Sequence, residues 1–117
     1  MRAGVVLVAF LVVAAPATAT TAGRYWSTAK VLRRLDGAKV SVGARVVRVR
    51  SATTLCAGQG TSIRRHGIRL WRRFVCTYTT FTKAGVDRDL DFRVRTISGT
   101  RFAVWDAHWV RQARASP

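Results

Sequence analysis

Carboxylates are scarce in this 117-residue chain, which contains no glutamate and only five aspartates. Three of the aspartates lie in DRDLD, residues 87–91, which invites comparison with a calcium-binding loop. An EF-hand loop requires glycine at its sixth position and glutamate at its twelfth. Counted from Asp87, those positions hold Phe92 and Ser98, which excludes this loop. We expect the aspartates to face arginines on neighbouring strands instead.

Cysteine and histidine are equally scarce, with two of each in the chain. A zinc site needs about four ligands, and Cys56, Cys76 and His66 supply three. A catalytic thiol needs a thiolate and a nearby base. If the chain is secreted, as residues 1–19 predict below, oxidation of both cysteines is favoured instead. His66 and His108 could form the acid–base pair of a ribonuclease, but their expected strand positions lie far apart. The sequence therefore predicts no catalytic residue, no metal and no cofactor.

Long apolar runs are absent except for residues 5–15. This run follows the basic start Met1-Arg2 and precedes the small-x-small site Ala17-Thr18-Ala19, so we predict a signal peptide at residues 1–19. A bilayer span needs about 20 apolar residues, and a short membrane anchor is the alternative. Residues 20–117 then form a single small secreted domain without a transmembrane segment.

Basic residues dominate the charged composition. Lysine and arginine total 21, of which 18 are arginine, and the formal net charge is +16 at pH 7. Such a charge attracts polyanions, including nucleic acid, anionic lipid head groups and acidic polymers of a cell envelope. A GC-rich genome also favours codons for arginine, alanine, valine and glycine, so compositional drift is an alternative origin of the charge.

Hydrophobic periodicity predicts one helix followed by four strands. The helix falls within YWSTAKVLRRLDG, residues 25–37, where Ser27 or Thr28 can cap the first turn and Gly37 ends the last. Its apolar face is formed by Val31, Leu32 and Leu35. Alternating residues predict strands at 40–55, with a bulge, and at 69–82, 89–95 and 101–110. We therefore expect an α+β fold with the N-terminal helix packed on a four-stranded antiparallel meander sheet.

The two cysteines bracket CAGQGTSIRRHGIRLWRRFVC, residues 56–76. Its Gly58-Gln59-Gly60 lacks the third glycine of a dinucleotide-binding fingerprint and precedes a strand rather than a helix. A turn centred on RRHG would place Cys56 directly opposite Cys76, at a distance that a disulfide can bridge. We predict a disulfide-linked hairpin in which Gly58 and Gly60 permit a bulge beside the bridge.

Candidate anion-binding residues lie on this hairpin and at the strand positions whose side chains are expected to face away from the helix. Interleaved indole and guanidinium groups can stack on sugars or bases and hold anions. The expected outward set is Trp71, Arg73, Arg93, Arg95, Trp105 and Trp109. The hairpin tip and its return strand add Arg64, Arg65 and Arg72. The alternative is that Trp105 and Trp109 belong to the core, because both parities of the last strand carry apolar residues.

The order of motifs from residue 25 to 110 supports a resemblance. A W-S-x-A-K helix, then C-A-G-Q-G, then R-R-F-V-C and alternating strands resembles small secreted proteins of GC-rich actinobacteria that share C-x-G-x-G and F-x-C. This resemblance implies no activity. The helix-on-meander plan is also similar to cystatins and to the β-lactamase-inhibitor-like fold. Where a cystatin-type inhibitor carries Q-x-V-x-G, this chain has KVSVG at residues 39–43 and keeps only the glycine, so the similarity extends to shape alone.

The sequence thus favours a secreted, non-enzymatic basic protein that binds an anionic polymer or surface of the bacterial cell envelope. Binding to nucleic acid would be unspecific on this interpretation. The alternative is a protein–protein interaction module, such as an inhibitor of an extracellular hydrolase or protease.

Overall fold

A computed structural model describes residues 23–81, 85 and 87–110, and these have an α+β fold. The elements in chain order are α1 (Thr28–Leu35), β1 (Lys39–Val42), β2 (Arg45–Arg48), a 3-10 turn (Ser51–Thr53), β3 (Thr54–Arg65), β4 (Ile68–Phe81), β5 (Asp87–Thr96) and β6 (Phe102–Val110). Strands β3 to β6 form an antiparallel sheet in chain order, and β1 and β2 form a separate hairpin. The predicted signal peptide lies outside the described residues. Within them, no helix is long and apolar enough to cross a membrane.

Helix α1 begins and ends where the side chains at its termini predict. The hydroxyl of Ser27 accepts a hydrogen bond from the Lys30 N–H at 3.1 Å, which satisfies one of the unpaired donors of the first turn. Val31 and Leu35 are fully buried one turn apart. The helix therefore presents one apolar face to the sheet and leaves its basic residues on the other side.

The end of α1 is tied to the segment that follows β2. The Gly37 N–H donates to the Val49 carbonyl at 2.7 Å, and the Val49 N–H donates to the Ala38 carbonyl at 2.8 Å. The Ser51 N–H donates to Oδ1 of Asp36 at 3.0 Å, and this hydrogen bond to the charged form lowers the pKa of Asp36. Together these bonds fix the β1–β2 hairpin against the helix.

The predicted single strand over residues 40–55 is wrong. The chain turns back after Val42, and Val42 pairs with Arg45 across a two-residue turn in which Gly43 has a φ of 59°. Such a tight turn requires a positive φ that glycine adopts at little cost. The apolar residues change from even to odd numbers because the chain reverses direction in this hairpin, and not because of a bulge.

The disulfide-linked hairpin of β3 and β4 is confirmed. Cys56 pairs directly with Cys76, and their sulfurs are bonded. The turn consists of His66 and Gly67, whose φ angles are 51° and 77°. A bulge lies between Gln59 and Ser62, where two residues of β3 oppose one residue of β4.

The sheet has an inner face, which packs against α1 and the β1–β2 hairpin, and an outer face. The buried residues of the core are Trp26, Val31, Leu35, Val40, Val49, Phe74, Cys76, Leu90, Phe92 and Val94. The sheet members of this set alternate along β4 and β5, as expected for strands with one buried face. The residues between them, among them Arg73, Arg93 and Arg95, form the outer face.

Trp26 fixes the segment before α1 to the sheet. Its backbone exchanges two hydrogen bonds of 2.8 Å with Trp71, beyond the last pair of β4 with β5. Its indole Nε1 donates to the carbonyls of Gly23, at 3.1 Å, and Ser98, at 2.9 Å. Its ring meets Phe102 edge-on, with centroids 5.9 Å apart. The segment of residues 23–26 therefore lies beside β4 where β5 ends.

Candidate anion-binding groove

Cross-strand pairing places the basic residues of the outer face in two adjacent rows. One row runs across all four strands through Gln59, Arg73, Arg95 and Ala103. The next runs through Ala57, Val75, Arg93 and Trp105. Directly opposite residues in such rows have Cα atoms only about 4.5–5.5 Å apart. The rows therefore bring three arginines and one tryptophan onto one small area.

Arg73 and Arg95 form a pair of like charges. They lie directly opposite each other on β4 and β5, an arrangement that is unfavourable without a compensating anion. Within the described part of the chain, neither has a carboxylate within ion-pair distance. Their guanidinium donors are thus available to an external anion.

Three cavities with shared lining residues open beside these rows, with volumes of about 470, 340 and 260 Å³. All three are lined by Arg95, and neighbouring cavities also share Arg73 or Arg72. We call them together the basic groove, whose arginines are Arg24, Arg72, Arg73, Arg93 and Arg95 and whose other side chains include Tyr25, Gln59, Ala103 and Trp105. The groove is open along its length, as an extended ligand requires.

Arg24 closes one end of the basic groove. Its carbonyl accepts a hydrogen bond from the Thr96 hydroxyl, which holds the segment before α1 against the end of β5. Its Nε is buried and has no hydrogen-bond partner among the described residues. A buried donor without a partner is unfavourable. Arg24 and Arg72 line the same cavity at this end of the groove.

Arg93 differs from the other arginines of the groove because it has an acidic neighbour. Its Nε lies 3.4 Å from Oδ2 of Asp106, and both side chains are about half exposed. An exposed pair of this kind contributes at most about 1 kcal/mol and exchanges readily with an external anion. His108 also approaches Asp106, with Nδ1 3.7 Å from Oδ1.

Two aspartates of β5 accept hydrogen bonds from threonines of β4, and the expected arginine partners on neighbouring strands stay a prediction. Asp91 accepts a hydrogen bond from the Thr77 hydroxyl at 2.8 Å, and Asp89 accepts one from the Thr79 hydroxyl at 2.9 Å. They occupy the half of the outer face beyond the basic rows. Among the described residues, no group of three potential metal ligands lies together.

Trp105 and Trp109 lie on opposite faces of the sheet. Trp105 pairs with Arg93 on the outer face and is 43% exposed, whereas Trp109 pairs with the buried Leu90 and packs against the core. A bulge between them reverses the alternation, with Asp106 at a φ of 57°. Arg88 lies over the Trp109 ring at 4.2 Å. The prediction that Trp109 faces outward is therefore wrong.

Trp71 also leaves the predicted outward set. Its ring packs against the core, meets Phe74 edge-on at 6.1 Å between centroids and covers Gly58. Opposite the Gly60 bulge, the successive residues Arg72 and Arg73 both line the groove. Beside this bulge of β3, the Trp71 indole lies inward and Arg72 adds a second guanidinium to the groove.

Arg64 and Arg65 lie apart from the basic groove, near the tip of the β3–β4 hairpin. Both are exposed, and β4 pairs with β5 only as far as Arg73, so the tip extends past the sheet. His66 sits in the turn, whereas His108 lies opposite Asp91 on β6. Ten residues of β4 separate the His66 turn from the position of His108, about 33 Å at the usual rise per residue, so the two histidines do not meet at one site.

Sequence reasoning missed four residues around the groove. Gln59 could have been found, because a register set by Cys56 and Cys76 places it opposite Arg73. Arg24 and Tyr25 reach the groove through the pairing of Trp26 with Trp71, which no local pattern indicates. Asp106 lies at a bulge that strand alternation alone does not reveal.

Comparisons with known proteins add no relative from which a function could be transferred. The resemblances drawn from the C-x-G-x-G motif and from the helix-on-meander plan therefore stay predictions. No family model matches the chain, and no curated protein or solved structure matches it significantly.

Proposed function

We propose that this chain is a secreted, non-enzymatic basic protein that binds an anionic polymer of the bacterial cell envelope in the basic groove. The observation that carries the proposal is the presence of five arginines around three cavities that share lining residues. Arg93 alone has a described carboxylate within ion-pair distance. Guanidinium groups bind carboxylates and phosphates through paired, charge-assisted hydrogen bonds, so such a cluster suits either kind of polymer.

Two further observations support an extracytoplasmic binding protein. The disulfide between Cys56 and Cys76 is of the kind that persists in oxidising compartments. The three cavities share lining arginines and open at the surface, which suits a chain-like ligand better than a compact one. The net charge of +16 would raise the rate at which any polyanion meets this surface.

The test is a calorimetric titration of the chain with linear polyphosphate at two salt concentrations. We expect the double variant Arg73→Gln, Arg95→Gln to raise the Kd about tenfold, a change of about 1.4 kcal/mol. The matched control is Arg33→Gln, Arg34→Gln, which removes the same charge from exposed positions on α1. Equal losses in both double variants would reduce the binding to unspecific attraction by net charge.

The salt dependence separates this function from its alternative. Binding that displaces counterions weakens steeply as salt rises, and we expect wild-type affinity for polyphosphate to do so. A protein–protein module, such as an inhibitor of an extracellular hydrolase, would bind through apolar contacts that resist salt. Failure of polyphosphate to bind at about 50 mM salt would overturn the proposed function.

A further inference from the structure

Trp105 is the one indole that the basic groove presents to solvent. Trp26, Trp71 and Trp109 all pack into or against the core, whereas Trp105 lies on the outer face with 43% of its surface exposed. It sits directly opposite Arg93, within the largest cavity of the groove. An exposed indole is a flat apolar surface for a ligand that also carries polar groups.

The space beside this indole is set by Ala103. Ala103 precedes Trp105 by two residues on the same face of β6 and lies directly opposite Arg95. Its small side chain leaves a cavity of about 470 Å³ between the indole and the guanidinium groups. This volume falls within the range of small-molecule sites, so the cavity has room for one ring with an attached anion.

The composition of the site favours a sugar ring over a nucleobase. Surfaces that bind single-stranded nucleic acid stack successive bases on several aromatic side chains. Here a single exposed indole is surrounded by arginines, with Gln59 at the opposite wall as a hydrogen-bonding amide. A saccharide ring offers an apolar face to the indole, and its acidic substituent reaches Arg93 or Arg95. Gln59 lies three strands away, where its amide can bind hydroxyl groups of a neighbouring sugar unit.

We propose that the Trp105 cavity is a subsite for an acidic sugar, namely a saccharide ring that carries a carboxylate or phosphate group. This inference rests on the proposed function and deepens it, because it assigns rings to the anionic polymer. Arg93 and Arg95 hold the anion, and Trp105 stacks beneath the ring. The remaining cavities, lined by Arg24, Arg72 and Arg73, hold the acidic groups of neighbouring units.

The experiment compares three tetrameric probes by calorimetry: tetragalacturonate, tetraglutamate and maltotetraose. They supply rings with carboxylates, carboxylates without rings, and rings without charge. We expect wild type to bind tetragalacturonate most tightly. Trp105→Ala should raise the Kd for tetragalacturonate about tenfold, as loss of a stacking platform does, and change the Kd for tetraglutamate less than about twofold. Trp105→Phe should retain most of the affinity.

The matched control is Phe81→Ala, which removes another exposed aromatic ring, on the β4 end that pairs with Asp87 and away from the groove. It should leave all three affinities unchanged. Equal loss of both acidic probes in Trp105→Ala, or equal wild-type affinity for tetragalacturonate and tetraglutamate, would overturn the sugar subsite. Polyphosphate binding would still stand in that case, so the two proposals fail separately.

Discussion

At the scale of single residues, the two glycines of the C-A-G-Q-G motif have separate tasks. Gly58 lies under the Trp71 indole, and a Cβ at this position would overlap the ring. Gly60 has a φ of 75° within the bulge that brings Arg72 into the groove. The first glycine therefore serves core packing, and the second shapes the candidate site.

Gly58→Ala tests the first of these tasks. We expect it to lower the free energy of unfolding by about 1–3 kcal/mol, because the indole or the strand must shift to admit the methyl group. Gly99→Ala is the control, since a Cβ there meets open space, and it should change stability by less than about 0.5 kcal/mol. Urea denaturation followed by tryptophan fluorescence measures both, and equal stabilities would contradict the packing role.

Trp105 and Trp109 lie on opposite faces of the sheet, which the sequence alone did not predict. Residues four apart on a regular strand share a face, so the sequence grouped the two tryptophans together. One extra residue at Asp106 separates them. Aspartate tolerates a positive φ better than most residues, but many aspartates do not adopt one, so the bulge has no reliable local signal.

At the scale of elements, the alternation of apolar residues also explains why the sequence did not predict the β1–β2 hairpin. Val40 and Val42 have even numbers, whereas Val47 and Val49 have odd numbers. Within a single strand, this change predicts a bulge. A two-residue turn also reverses parity, because it pairs Val40 with Val47. Gly43 was the signal that distinguished the two interpretations. The β3–β4 hairpin was predictable because Cys56 and Cys76 fix its register.

Removal of the disulfide tests how far the β3–β4 hairpin depends on it. We expect Cys56→Ala, Cys76→Ala to lower the free energy of unfolding by about 2–4 kcal/mol, mainly because the unfolded chain gains freedom. Arg72, Arg73, Arg93 and Arg95 lie on strands that remain paired, so polyphosphate affinity should change little. Chemical denaturation with and without reductant measures the effect. An intact mass of the purified wild-type protein that shows two free thiols would contradict the prediction.

At the scale of the whole molecule, charge is unevenly distributed over the outer face. Arginines 73, 93 and 95 occupy the rows nearest the bulge of β3, while Asp89 and Asp91 occupy the rows beyond them. The change of sign occurs within β5, between Asp91 and Arg93. A polyanion is therefore attracted to the half of the face that carries the arginines.

A pair of substitutions with the same change in net charge separates local from global electrostatics. Asp106→Asn frees Arg93 of its acidic neighbour, and we expect the Kd for polyphosphate to fall about threefold, within the energy of an exposed ion pair. Asp36→Asn removes an equal charge at the end of α1, on the inner side of the sheet. At about 0.15 M salt the Debye length is about 8 Å, so this remote change should alter the Kd by less than about 1.5-fold. Calorimetry at that salt concentration measures both variants. Equal shifts would mean that net charge alone governs binding, and the groove would then have no special role.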